Sequence, residues 1–240
     1  MALEMLYALS QNRLALETFE YKSMLKPLIS GTFLLLTPIL ANAAVIVQDL
    51  TVTRDQTDFD TPVVFNLFDN TTGSVLESVV VELFARSSGS IQVENRSTTR
   101  ASSVTAVLST IIKLQLPDGT TTLTATPSTT RTDSLSTFDG VVDYDGTSGV
   151  EFVNLATNDY ESLIISSPSL LTLFTGIGQS QFLFEAVATS AVNGGGNLAT
   201  LIDTFASADV RITYYYVPVS QSLGLLLLGV GLMMARRYSH

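Results

Sequence analysis

The chain has no cysteine and no tryptophan, and its one histidine is its last residue, His240. Without cysteine, neither disulfides nor thiolate metal sites hold the fold. A Ser-His-Asp or Cys-His arrangement needs an imidazole to take the nucleophile's proton, and the single imidazole stands at the far end of the chain. Zinc sites of ordinary ligand type fail on the same ground. Basic residues are also scarce, 12 Lys and Arg against 22 Asp and Glu, for a net charge of −10. Between residues 44 and 217 the imbalance is sharper, seven basic against nineteen acidic. Such a field repels nucleic acid and anionic lipid and favours solubility and cations. Lys113, the one lysine in that stretch, falls on the solvated face of an alternating segment, which argues against a Ser-Lys dyad. Carboxylate pairs of the glycosidase kind remain, but no spacing selects one among so many acids. The expectation is a protein without catalysis.

Long apolar runs are confined to the two ends. The tail reads VPVSQSLGLLLLGVGLMMARRYSH from Val217 to His240. Its uncharged run, Leu223 to Ala235, holds 13 residues, or roughly 20 Å as a helix at ~1.5 Å per residue. Counted back to Val217 it reaches about 28 Å, close to the ~30 Å hydrocarbon thickness. Leu225, Leu226, Leu227 and Leu228 form its centre, and Arg236 and Arg237 form a cytoplasmic stop that leaves the rest of the chain outside. The plainer alternative is a buried C-terminal core helix.

At the front, residues 1–23 mix charges with apolar residues. Met24 then opens MLKPLISGTFLLLTPILANAA, in which Lys26 supplies a positive region and Leu28 to Leu40 an apolar one. Ala41-Asn42-Ala43 makes a small-x-small cleavage site before Ala44. Those features predict a secretory signal peptide over residues 24–43. Either translation starts at Met24, or the first 23 residues are a long leader that is also removed.

The organisation expected is therefore an extension (1–23), a signal peptide (24–43), a folded domain (44–217) and a hydrophobic anchoring helix (218–240). The domain length suits one core that buries about 70% of its unfolded surface. Strict alternation recurs along it, the mark of half-buried strands. Val104, Ala106, Leu108, Ile112, Leu114 and Leu116 share one face, and Pro117-Asp118-Gly119 makes a turn back to Leu123–Thr126. Val79, Val81 and Leu83 form another strand, with a turn expected at Ser87-Ser88-Gly89. Gln181 to Ala188 alternates around Phe182 and Phe184. Ala208 to Tyr216 places Ala208, Val210, Ile212, Tyr214 and Tyr216 inward. Asn193 to Asn197 reads as a loop, and Pro168 to Phe174 as the one helical piece, with proline in the first turn. The Ser/Thr richness follows from β-propensity and a solvated surface. Short strands at regular spacing predict an all-β antiparallel sandwich with jelly-roll or Greek-key connections.

Two resemblances can then be stated. The tail resembles the PEP-CTERM sorting signal of Gram-negative bacteria. Val217 and Pro218 match, as do the apolar run and Arg236-Arg237, whereas Val219 and Ser220 stand where that family usually has Glu and Pro. The resemblance implies export, sorting by an exosortase, and a tail either cleaved or retained. Residues 68–216 are similar to the choice-of-anchor E domain family of exported bacterial proteins. Leu116-Pro117-Asp118-Gly119-Thr120, Phe138-Asp139-Gly140, Gly146-Thr147-Ser148-Gly149, Leu173-Phe174-Thr175-Gly176 and Gly196-Asn197-Leu198-Ala199-Thr200 carry that likeness. It implies a β-rich domain joined to a surface anchor, and no particular activity.

Two binding sites are candidates. Asp139, Asp143 and Asp145 in FDGVVDYDGTSG put alternating carboxylates in a glycine-bounded loop, a donor set suited to calcium, although Asp and Gly are equally what tight turns need. Tyr144, Tyr160 and Tyr215 are the aromatic candidates for glycan stacking. The function expected is a structural or interaction role at the bacterial surface or in its matrix, with a calcium-supported glycan-binding module as the alternative and extracellular polysaccharide as a partner.

Overall fold

A computed structural model describes residues 43–218. The expected signal peptide and anchoring helix lie outside them. Among the described residues no helix is long and apolar enough to cross a membrane.

Ten strands form two antiparallel sheets. They are β1 (Ala44–Gln56), β2 (Phe59–Asn66), β3 (Val75–Asn95), β4 (Ser102–Gln115), β5 (Thr122–Ala125), β6 (Ser128–Leu135), β7 (Gly149–Ile165), β8 (Gln179–Ala188), β9 (Ala191–Gly194) and β10 (Leu198–Val217). One sheet runs β1-β10-β3-β7; the other runs β2-β8-β4-β5, with β6 and β9 pairing with the first half of β4. The inner faces pack against each other, so the predicted all-β antiparallel sandwich is what the chain forms. A single helical turn, α1 (Pro168–Leu171), continues as a 3-10 turn through Phe174, at the position expected for the helical piece.

The alternation that predicted the strands is realised side chain by side chain. Val104, Ala106, Leu108, Ile112, Leu114 and Leu116 are all buried, as are Phe182, Phe184, Val210, Ile212 and Tyr214. Leu116 N–H donates to Thr121 O at 2.8 Å and Gly119 N–H to Leu116 O at 3.0 Å, closing the β4–β5 hairpin. The Asp118 carboxylate accepts from the backbone N–H groups and hydroxyls of Thr120 and Thr121. Those bonds, Thr121's first, hold it well below the usual carboxylate range.

The loop expected over Asn193–Asn197 is shorter, since Asn193 and Gly194 close β9 against Thr105 and Val104, and two further expectations fail in an informative way. Ser87-Ser88-Gly89 is no turn: β3 continues through it for 21 residues, paired with Ala206, Phe205 and Thr204 of β10. The glycine is there because β10 comes so close that a Cβ at residue 89 would strike the Asp203 carbonyl. The final strand also begins ten residues earlier than expected, at Leu198 rather than Ala208. Its first half pairs with Ser87–Asn95, so it needs no turn there either.

The interior is divided in two. The larger core holds Phe65, Phe68, Phe174, Phe182, Phe184 and Tyr214 among many aliphatic residues. Its rings are stacked, Phe65 on Phe182 at 4.5 Å and on Phe174 at 5.5 Å. The smaller contains Ile91, Val93, Val104, Ala106, Leu108, Leu135 and Leu155, all aliphatic. Buried Ser87, Thr110 and Thr204 lie where one core gives way to the other along β3, β4 and β10. Thr204 Oγ1 and Ser190 Oγ are 2.9 Å apart, and Ser190 Oγ accepts from Ser109 N–H at 3.0 Å. Thr110, which interrupts the apolar row of β4, lies in this seam with its Oγ1 buried and without a protein partner.

Candidate functional site

The chain enters and leaves the sandwich at one end. Ala44, the residue expected to follow the signal cleavage, is the first of β1 and pairs with Tyr216 near the close of β10. Ala43 precedes it as an exposed residue, and Ala41 lies outside the described residues. Val217 ends β10 and Pro218 follows it. Leu223, Leu225, Leu226, Leu227, Leu228, Arg236 and Arg237 lie outside the described residues.

The acidic loop sits at the opposite end, between β6 and β7. Asp139, Asp143 and Asp145 are all exposed. Each turns a carboxylate oxygen onto nearby backbone: Asp139 Oδ1 accepts from Val141 N–H at 3.0 Å, Asp143 Oδ1 from Asp145 N–H at 3.1 Å, and Asp145 Oδ1 from Gly146 N–H at 2.8 Å. Among the described residues no three His, Asp or Glu side chains converge on a point that would hold a metal ion. These bonds are of the turn-forming kind, and each takes one of the two oxygens of its carboxylate.

What pins this loop is a pair of residues that periodicity did not single out. Glu94 and Asn95, the last two of β3, are fully buried although they are polar. Asn95 donates to Ser136 O at 2.7 Å and to Arg100 O at 2.9 Å, and accepts from Ser97 N–H at 3.0 Å. Glu94 Oε2 accepts from Tyr144 N–H at 2.9 Å, while its Oε1 is buried with no protein partner. In the sequence Glu94 follows Gln92 on what alternation assigns to the wet face. Only the loop folding over it dries it.

The three tyrosines do not form one platform. Tyr144 is half-buried in the acidic loop. Tyr160 packs on Phe84 at 5.0 Å between centroids and donates its hydroxyl to Glu82 Oε1 at 2.9 Å. Tyr215 pairs with Ser78, six positions along β3 from Phe84, or about 20 Å at ~3.4 Å per residue. Tyr160 does line a groove of about 410 Å³ with Phe84, Arg86, Asn158 and Asp159. Arg86 is held there by Asp209 at 2.6 Å, a bond that keeps the Asp209 carboxyl below its ordinary range. Lys113 occupies the solvated strand face as expected and meets Glu185 at 3.0 Å.

The fold defines the class, an antiparallel β-sandwich. No family model matches the chain and no curated protein does. Solved structures that it matches include infectious bursal disease virus, Gx strain, at 10% identity with a TM-score of 0.19, covering 76% of this chain and 42% of that one. The T13 particle of the same virus matches at 15% identity and a TM-score of 0.16, covering 73% and 36%. The chain thus spans about two fifths of the solved chains it matches, and similarity at those scores carries no argument about it.

Proposed function

We propose that this chain is an exported bacterial β-sandwich protein, held at the cell envelope by its C-terminal segment or released from it after processing. Its role is structural or interactive, at the surface or in the extracellular matrix of a Gram-negative cell, and it performs no catalysis. The sheet orders β1-β10-β3-β7 and β2-β8-β4-β5 support the finer reading of the architecture as a jelly roll, two interlocked Greek keys. The observation that carries the functional proposal is the coincidence of boundaries. Among the described residues, β1 opens at Ala44, directly after the small-x-small site, and β10 closes at Val217, where the tail begins. An acidic, disulfide-free domain with a substantial aromatic core needs nothing from an oxidising compartment to stay folded. Export signals and sorting machinery, an exosortase among them, would act on residues 24–43 and 218–240 on either side of the sandwich.

The test is fractionation of the native host with sequencing of the mature N-terminus. The expected result is an envelope or medium fraction whose chain begins at Ala44. Uncut, full-length chain free in the cytosol would overturn the proposal.

A second reading, a calcium-supported glycan-binding module, is favoured by the groove at Phe84 and Tyr160, where an exposed ring borders Arg86, Asn158 and Asp159. The full chain applied to a glycan array, with and without calcium, tests it. Binding lost on Tyr160→Ala would support this reading, and no binding in either arm would favour the structural one.

A further inference from the structure

The exposed apolar side chains are not spread evenly. The three most exposed among the described residues, Ile177 at 78%, Ile164 at 71% and Val75 at 60%, all lie at the end where the chain enters and leaves the sandwich. Val75 pairs with Val217, and Ile164 with Val80 near the close of β7. Ile177 stands two residues before Gln179, whose partner Asn66 also receives the Tyr214 hydroxyl. It is the tip of a turn between Gly176 at φ +145° and Gly178 at φ +101°, conformations that only glycine adopts without strain.

The outer face of the β1-β10-β3-β7 sheet continues the pattern in rows. The row nearest the chain ends is Val45, Tyr215 and Ser78; the next is Val47, Thr213, Val80 and Ile164. Neither contains a charge. The third row is Asp49, Arg211, Glu82 and Ser162, with Arg211 bonded to Asp49 at 2.7 Å. Two uncharged rows and a protruding isoleucine therefore form a cap that lies between the exposed bulge residue Glu77 at the rim of β3 and a belt of charges. The exposed apolar residues at the far end make no such cap. Val141 and Val142 sit in the acidic loop, and Leu201 lies beside Gln92, which is bonded to Glu151.

We propose that this cap rests on a lipid surface, in the headgroup region of the membrane that holds the tail. The inference rests on the anchored reading above and names the face that the domain turns to the bilayer. Its occupant follows from chain length. The uncharged run starts at Leu223, five residues after Pro218, and five residues span at most about 17 Å. A retained tail thus keeps this end of the sandwich within that distance of the hydrocarbon. Two uncharged rows with a tyrosine, and one acid at the rim that reaches headgroup and water, are what a headgroup layer accommodates, and the charged row marks the depth at which contact stops. The acidic domain gains nothing from anionic headgroups, so the contact is to zwitterionic lipid.

The absence of cysteine allows single labels. The full chain, labelled with an environment-sensitive fluorophore at Ser78→Cys or Thr98→Cys, is reconstituted into phosphatidylcholine vesicles with or without a headgroup-region quencher lipid. The expected result is about twofold quenching at position 78 and none at position 98. Introducing I177D and I164D should remove the quenching while the chain still floats with the vesicles. Both positions are surface ones, and an unchanged circular dichroism spectrum verifies folding. A chain that floats with position 78 unquenched overturns the lipid contact and leaves anchoring intact. A chain that does not float overturns anchoring and the contact with it. Cross-linking between two copies at position 78, without lipid quenching, assigns the cap to a second copy and also overturns the proposal.

Discussion

The two cores of the sandwich are built on different principles. The one near the chain ends is packed with rings and closed by the turn after β7, so its stability comes from apolar burial. The far one is aliphatic and smaller, and its lid is the acidic loop, tied down by the hydrogen bonds of Asn95 and Glu94. The contrast shows why the two ends respond to different insults. Deleting a ring opens a large void, whereas deleting a buried amide strands several carbonyls and N–H groups away from water. Yet β3, β4 and β10 run through both regions, so the two cores share their main strands.

The largest effect expected is that of Phe182→Ala, which removes a ring stacked on Phe65 and tilted against Phe174. It should cost about 3–5 kcal/mol, against about 2 kcal/mol for Leu155→Ala at the rim of the smaller core. Urea titration followed by circular dichroism measures both. A single transition for Phe182→Ala is expected from the shared strands, and two transitions would break the view that the cores unfold together.

Asn95→Ala comes next, at about 2–3 kcal/mol for the groups it leaves unpaired. Its distinguishing mark is local. Hydrogen exchange should accelerate over residues 136–148 and stay unchanged around Tyr214, and acceleration at both ends would blur the contrast. The smallest effect belongs to Tyr214→Phe, which loses one hydroxyl bond to Asn66 O, 2.8 Å long, about 1 kcal/mol at neutral pH. Burial raises the phenol's pKa, the bond from Gln48 opposing. A group whose folded pKa is raised contributes stability that is complete below the unfolded value, near ~10, and lost as pH climbs past it. The wild-type Tm should therefore fall between pH 9 and 11 more steeply than that of the variant.

Much of this fold was legible because water lies on one side of most strands. Val104 to Leu116 and Ala208 to Tyr216 alternate for that reason, and their inward residues are buried except Tyr216, half-buried beyond the bulge at Tyr215. Legibility failed where two stretches of backbone decide the matter together. Gly89 reads as a turn residue until β10 is laid across it. Thr204 breaks the apolar phase of the first half of β10, because it belongs to the polar seam, and so the strand seemed to start late. Glu94 carries no local sign of burial. The acidic loop was only partly legible, since the spacing of Asp139, Asp143 and Asp145 reveals nothing of which oxygens their own backbone claims.

The pairing of Ala44 with Tyr216 has a mechanical consequence. Tension applied between those two ends would peel β1 from β10 one rung at a time, the weakest way to load a ladder. A pull between the tail and something gripping the distal loops instead runs lengthwise along β10, so that many rungs must shear at once. A domain tethered only through its C-terminal side is thereby loaded along its strong axis.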